Sequence, residues 1–301
     1  MHKIRSDIML NDAIKTKQLK TTQHKNFEMI NNNQQTITQL KSILDKHQQW
    51  LVITGAGVSQ NSGIPTYRDE KGQWQRSRPI QHQEFVQYED KRKRYWARSA
   101  VGWPPVARAQ PNVVHYALAK LEQKGYLAGV ITQNVDRLHQ KAGHQQVIDL
   151  HGRLDRVQCL SCQTYECREQ LQNRLLQKNP FLNQVNAEIA PDGDAHVEDQ
   201  LTEQIEPVGC SQCQGILMPD VVFYGGTVPR ETNEATQQLY QKSKGLLVLG
   251  SSLMVYSSFR FCKQAKQDNK PIVIINQGVT RADDLANYKF EVDCQIIEAL
   301  L

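Results

Sequence analysis

The sequence predicts an α/β protein, a Rossmann-like parallel-sheet domain with a smaller second domain inserted in it. Three observations carry this. Four strand-length runs are nearly continuous in apolar residues: Trp50 to Ile53, Leu127 to Ile131, Leu246 to Leu249 and Ile272 to Ile275. Parallel strands covered on both faces read this way. A polar segment follows each run, as expected where strand ends converge on a ligand. Finally, two Cys-x-x-Cys pairs, Cys159/Cys162 and Cys210/Cys213, interrupt the strand pattern and mark a separate module.

In chain order, residues 1–34 are rich in Lys, Gln, Asn and Thr. That composition cannot bury a core and predicts a mobile polar arm. Ile37, Leu40, Ile43 and Leu44 then recur at helical spacing, so a helix precedes the first strand. After that strand comes Thr54-Gly55-Ala56-Gly57, where glycines would let backbone approach a pyrophosphate. The third glycine of a G-x-G-x-x-G run would fall at Gln60, and the next glycine is Gly63. No acidic residue obviously ends the second strand, so a hydride-transferring dehydrogenase is disfavoured. Lys91 to Arg94 form a basic run, whose simplest reading is a solvated face. His115 to Lys124 places Ala117, Leu118 and Leu121 on one helical face, with Gly125 as its C-terminal stop.

The second strand leads into Thr132-Gln133-Asn134-Val135-Asp136. A short strand-like run, Val147 to Leu150, leads into His151-Gly152, immediately before the first cysteine pair. The stretch between the pairs is acidic, with Glu188, Asp192, Asp194, Glu198, Asp199, Glu203 and Glu206. A helix is expected from about Thr232 to Lys242. The third and fourth strands end in Gly250-Ser251-Ser252 and Asn276-Gln277-Gly278.

Two residues between cysteines turn both thiolates of a pair toward one point. Two such pairs complete a tetrahedral S4 site with no open position, the usual structural zinc cage. Free thiols or disulfides are the alternative. With Cys167, Cys262 and Cys294 the count is odd, which suits a reducing compartment better than a secreted framework. The smaller domain is therefore expected to be of zinc-ribbon/helical type. No apolar stretch approaches a membrane span and no signal-peptide core is visible. The expected location is the cytoplasm of a microbe, or the mitochondrial matrix if the source is eukaryotic. The formal charge of +5 permits acidic partners without demanding nucleic acid. Aromatics are not interleaved with the basic run as stacking platforms would require.

Gly55-Ala56-Gly57-Val58-Ser59-Gln60-Asn61-Ser62-Gly63-Ile64-Pro65-Thr66-Tyr67-Arg68 resembles the signature loop of the sirtuins, the NAD-dependent protein deacylases. Thr132 to His139, Leu150-His151-Gly152, the cysteine pairs, Gly250 to Leu253 and Ile275-Asn276 resemble that family's later motifs, in order. Tyr95-Trp96-Ala97-Arg98, Val101-Gly102-Trp103-Pro104 and Ala190-Pro191-Asp192-Gly193-Asp194 are similar to its class II. That class includes members associated with lipoamidase, branched-acyl deacylase and ADP-ribosyltransferase activities.

The resemblance implies one catalytic domain over 35–301. Its large lobe takes about 35–75, 112–153 and 216–301, and its small lobe 76–111 and the ribbon 154–215. It implies NAD, one structural zinc and acylated-lysine proteins as partners, with no nucleic acid or membrane. Nicotinamide leaves the ribose, the acyl oxygen attacks, and a base deprotonates a ribose hydroxyl. A histidine suits that last step at neutral pH. Of nine histidines, His151 is the choice for its place after a strand-like run, with His139 as its structural competitor. Asp136 would accept from the nicotinamide carboxamide, and Asn134 and Gln133 would position ribose and water. Val135 belongs to the same contact segment. Ile64 would wall the nicotinamide pocket, Tyr67 would shield the reacting face, and Arg68 would contact pyrophosphate. Ser62 joins the signature-loop contacts; Gly250, Ser251 and Ser252 would serve phosphate; Asn276, Gln277, Gly278 and the backbone of Cys294 would serve the adenosine.

Thr66 and Tyr224-Gly225-Gly226 stand where many relatives carry a carboxylate, which points away from efficient deacetylation. Tyr95, Arg98 and Val221 are the candidates to meet the acyl chain; Arg98 would pair an acidic acyl group, or Tyr95 and Arg98 would both simply pack on the surface of the small domain. The competing readings are a mono-ADP-ribosyltransferase using the same pocket and a non-catalytic zinc-ribbon interaction module.

Overall fold

The computed structural model describes residues 34–66, 79–185, 187 and 192–301. The described residues divide into two units, one of 34–46 with Leu300 and one of 47–299 with Leu301. The described part of the first is a helix, α1, over 34–46, on which Leu40, Ile43 and Leu44 are buried.

The second unit opens with β1 (Trp50–Thr54), whose five residues are all buried. A short helix α2 (Ala56–Ser59) follows at once. Then come α3 (His82–Gln87), α4 (Glu89–Arg108), α5 (Val113–Gln123), β2 (Leu127–Thr132), α6 (Leu138–Lys141) and β3 (Val147–Asp149). The small module holds β4 (Gly152–Cys159), β5 (Tyr165–Cys167), α7 (Arg168–Lys178) and α8 (Asp199–Gln204), and closes with β6 (Leu217–Val221). The chain then returns through α9 (Arg230–Lys242), β7 (Gly245–Leu249), α10 (Tyr256–Gln267), β8 (Ile272–Ile275) and β9 (Tyr288–Phe290).

The large sheet has the order β3-β2-β1-β7-β8-β9, and every pairing in it is parallel. In chain order of its own strands this is 3-2-1-4-5-6, the doubly wound dinucleotide-binding arrangement. The order reverses between β1 and β7, so the crevice at their carboxyl ends is where such a sheet binds ligands. The four strands expected from sequence are present. β3 and β9 extend the sheet at its two edges. Leu51, Ile53, Ile131, Leu246, Val248 and Ile274 share one core with Tyr240 and Phe261 from α9 and α10.

The small sheet is antiparallel, order β5-β4-β6. Pro219 lies in β6, an edge strand, where a missing N–H is tolerated. Phe85, Trp96, Val157, Leu171, Leu175, Ile205 and Leu217 form its core with α3, α4, α7 and the segment after α8. Helix α4 runs on through Pro104 and Pro105 near its end. Gly102 on α4 has no room for a side chain: a Cβ there would lie 2.3 Å from the Asp194 carbonyl oxygen. The loop carrying Asp192 and Asp194 is thereby seated directly on α4.

Candidate active site at the sheet switch point

Gly55 and Gly57 follow β1, and Gly250 follows β7. A Cβ on Gly55 would lie 2.8 Å from the Gly250 oxygen, and one on Gly57 2.9 Å from the Gly250 Cα. Gly250 itself has φ +59, and its Cβ would meet the Val58 nitrogen at 2.6 Å. The sequence reading gave these glycines to close approach of a pyrophosphate. In the structure they let the two strand-end loops pack on each other, with Gly57 N donating to Gly250 O at 3.0 Å. No side chain caps the start of α2. Asn112, the N-cap of α5, tethers this loop by donating to Val58 O at 2.8 Å and to Ser62 Oγ at 3.0 Å.

The segment after β2 is fastened to the same loops. Gln133 Nε2 donates to Ser251 Oγ at 2.7 Å and to Thr54 O at 3.2 Å, while Gln133 Oε1 accepts from Ser258 Oγ at 2.9 Å. Asn134 Nδ2 donates to Gly55 O and to Ser59 Oγ, both at 3.0 Å. Ser59 in turn donates to Asp136 Oδ2 at 2.7 Å, and Asp136 Oδ1 accepts from Leu138 N at 2.9 Å. Burial raises the Asp136 carboxyl above the ordinary range, against the pull of those hydrogen bonds.

His151 follows the Leu150 that ends the β3 segment. Its Nδ1 lies 3.2 Å from Gln133 O and its Nε2 2.7 Å from Ser257 Oγ. A carbonyl only accepts, so Nδ1 carries the proton and Nε2 keeps a lone pair, which accepts from Ser257. Burial pushes this imidazole below its ordinary pKa, which favours the neutral base. Gly152 next to it has φ +85, and a Cβ would sit 2.1 Å from Asp220 O. The His151 carbonyl accepts from Val222 N at 2.8 Å. The imidazole is thus held from both its ring and its backbone.

These loops enclose a cavity of about 660 Å³. Gly55, Ala56, Gly57, Gln133, Asn134, Val135 and His151 line it, as do Gly250, Ser251, Ser252, Asn276, Gln277 and Cys294. Tyr95 and Val221 line it as well. Ser62, Ile64, Asp136, Gly278 and Arg98 are not in its wall. Ile64 instead packs with Trp103, Val106, Val135 and Leu138. Tyr67 and Arg68 lie outside the described residues. His139 is fully enclosed, with Nε2 2.9 Å from Thr54 Oγ1, so of the two histidine candidates only His151 faces the cleft.

Arg98 requires a correction. The sequence reading left its guanidinium free to pair an acidic acyl group. In the structure Nη2 is 2.5 Å from Asp194 Oδ2, and Nε donates to Ala195 O at 2.9 Å. The acidic loop that Gly102 seats on α4 supplies that partner. Sequence reasoning also passed over Ser59, Asn112, Ser257 and Ser258. Ser59 stood within the signature loop with no role assigned, and for Ser257 and Ser258 the available signal was the density of serines after β7.

The four cysteine sulfurs lie within 4.8 Å of one another. Cys159 and Cys213 Sγ are 3.5 Å apart, and Cys162 and Cys210 Sγ 3.7 Å. A disulfide would need about 2.05 Å. A tetrahedral zinc with Zn–S near 2.3 Å has S···S edges of about 3.8 Å. Backbone N–H groups of Cys162 and Gln212 point at the Cys159 and Cys210 sulfurs, at 3.5 and 3.4 Å. The residues fit a structural zinc and leave no position for activated water.

The Sir2 family model matches residues 55–257. The NAD-dependent protein deacetylase 2 of Bradyrhizobium diazoefficiens is 47% identical over 262 residues, covering 87% of this chain and 96% of that protein. The NAD-dependent protein deacetylase of Xanthomonas axonopodis pv. citri is 49% identical over 255 residues, covering 85% and 87%. A solved Sir2 complex with p53 peptide and NAD+ superposes with TM-score 0.68 at 29% identity, covering 86% of this chain and 94% of that one. Sir2Tm bound to a propionylated peptide gives TM-score 0.67 at 28% identity, covering 87% and 95%.

Proposed function

The chain belongs to the Sir2 family, and we propose that it is an NAD-dependent protein-lysine deacylase that transfers the acyl group to ADP-ribose and releases nicotinamide. The observation that carries this reading is His151, whose unprotonated Nε2 belongs to the wall of the cavity at the β1–β7 switch point. The relatives' names and the peptide complexes of the neighbouring structures support it.

The backbone of Gly55 to Gly57 with Ser251 and Ser252 would hold the pyrophosphate of NAD, and Asn276, Gln277 and the Cys294 backbone its adenosine. Bound NAD supplies an electrophilic ribose carbon when nicotinamide leaves. Asn134, fixed by Gly55 O and Ser59, presents its amide toward ribose and water. His151 Nε2 takes the proton of a ribose hydroxyl, and the Gln133 carbonyl, accepting from Nδ1–H, steadies the imidazolium that forms. Asp136 acts through Ser59, its hydroxyl partner, as a positioning residue. Val135, Val221 and Tyr95 give the cleft an apolar side that keeps water from the reacting carbon. The same cleft reaches Tyr95 and Val221, which supports acyl groups longer than acetyl. The zinc site serves the fold of the small module.

The test is nicotinamide release from NAD with and without an acyl-lysine peptide. The deacylase reading expects release only with the peptide, together with loss of the acyl group. Label from NAD appearing on protein without acyl loss would favour the mono-ADP-ribosyltransferase, and no release under either condition the non-catalytic module.

A further inference from the structure

We infer that Asp192, beside the Arg98–Asp194 pair, makes the acyl end of the cleft a hydrogen-bond acceptor. This favours acyl chains that carry a donor, a hydroxyl or an ammonium, over plain alkyl and carboxylate-ended chains. The inference rests on the deacylase reading and deepens it.

Three observations converge. First, among the described residues the cavity wall holds no Lys or Arg, whereas Asp192 and Asp194 line it next to Tyr95. A carboxylate-ended acyl chain would meet like charge and no described cation. Second, of the cations that act on that end, Arg94 lies outside the cavity wall and the other two are already engaged. Arg98 is bound to Asp194 and the Ala195 carbonyl. Arg168 is buried behind α4, donating to Gln172 Oε1, Ser99 O and Ser99 Oγ, with its guanidinium against the Trp96 and Trp103 rings. Third, Asp192 Oδ1 is closed to solvent and has no hydrogen-bond partner. A buried acceptor left unmet costs free energy that a ligand donor recovers.

The loop is built to hold this group in place. Gly193 between the two aspartates has φ +68, and its Cβ position lies 3.2 Å from Leu154. Asp194 N and Asp192 N sit against the Asp192 carboxyl and, with the Arg98 charge, favour its ionised form. Burial, and then repulsion from Asp194, act the other way and push the carboxyl up to about 7. A donor on the acyl chain, above all an ammonium, would restore the ionised form. Tyr95 stays a neutral phenol, because burial raises it far above the ordinary range. A site that presents an acceptor to a substrate donor discriminates against the analogue lacking it more sharply than an apolar pocket rejects an extra methylene.

The experiment uses the full chain with NAD and one carrier peptide bearing acetyl-, butyryl-, 3-hydroxybutyryl-, 4-aminobutyryl- or succinyl-lysine. We expect kcat/KM for at least one donor-bearing chain to exceed that for butyryl by about tenfold or more, and succinyl to fall below butyryl. In Asp192→Leu, which removes the acceptor, the donor preference should shrink to within about twofold. If that variant fails to fold, the wild-type series decides alone. Butyryl equal to both donor-bearing chains, succinyl as the best substrate, or an Asp192→Leu variant with its preference intact would overturn the inference and leave the deacylase reading standing. Failure on every acyl peptide, acetyl included, would overturn the deacylase reading and this inference with it.

Discussion

At the scale of single residues, the chemistry depends on which ring nitrogen of His151 holds the proton. The Gln133 carbonyl fixes it on Nδ1, and a main-chain carbonyl cannot be titrated away. The proposed base is therefore present whenever the imidazole is neutral. Burial lowers the pKa of that imidazole from its ordinary value of about 6.5. The acid limb of kcat/KM should accordingly lie below about pH 6.5, with the rate lost as Nε2 protonates. A limb above that value would mean that another group titrates. His151→Ala should lower acyl removal by roughly two to four decades while NAD binding, followed by fluorescence titration, persists. His151 was legible in the sequence because a short apolar run, a glycine and a cysteine module bracket it. Ser257, 2.7 Å from Nε2, was not. A serine at the start of a helix is unexceptional until the fold brings it across 106 residues of chain.

Among the elements, β4 is the one that joins chemistry to scaffold. It begins at Gly152, beside the proposed base, and ends on Cys159, one of the four clustered cysteines that fit a zinc. Cys159→Ser, or chelation of the metal, should destabilise the small module, and metal analysis should find about one zinc per chain. Stoichiometric metal retained after loss of two of the four cysteines would contradict this. At the other side of the site, α5, α6 and the turn after α6 bring three buried histidines together. His115 and His139 have ring centroids 4.9 Å apart, and His139 and His144 5.1 Å. His115 Nε2, His139 Nδ1 and His144 Nε2 have no hydrogen-bond partner. Burial pushes His115 down to about 3 and His139 well below its ordinary value. The unfolded chain takes up protons near pH 6.5 while the folded chain does not. The contribution of His115 and His139 is then full above that pH and is lost as pH falls below it, by about 1.4 kcal/mol per pH unit for each of the two. Because the raised carboxyls of Asp136, Asp192 and Asp194 act in the opposite sense, the measurement is the difference in urea unfolding free energy between wild type and His115→Asn at pH 7.5, 6.5 and 5.5, which should fall as pH drops. A difference that does not change with pH would mean that His115 titrates in the fold as it does in the unfolded chain.

Across the whole molecule, the strand order puts the reversal between β1 and β7, so loops from distant parts of the sequence meet in one cavity. That convergence was readable from the four apolar runs and the polar segments after them. β9, three residues with Lys289 at its centre, was not, since an edge strand so short carries no continuous apolar run. The path of α4 through Pro104 and Pro105 was equally hidden, because prolines argue locally for a break. The pairing of Arg98 with Asp194 was the costliest omission, as partners 96 positions apart leave no local pattern. The measurement that bears most directly on the account is mass spectrometry of the small-molecule products formed from NAD and an acyl-lysine peptide. The account predicts one ADP-ribose carrying the acyl group for each nicotinamide released, and none from His151→Ala. Free ADP-ribose with the peptide still acylated, or acyl transfer undiminished in His151→Ala, would contradict it.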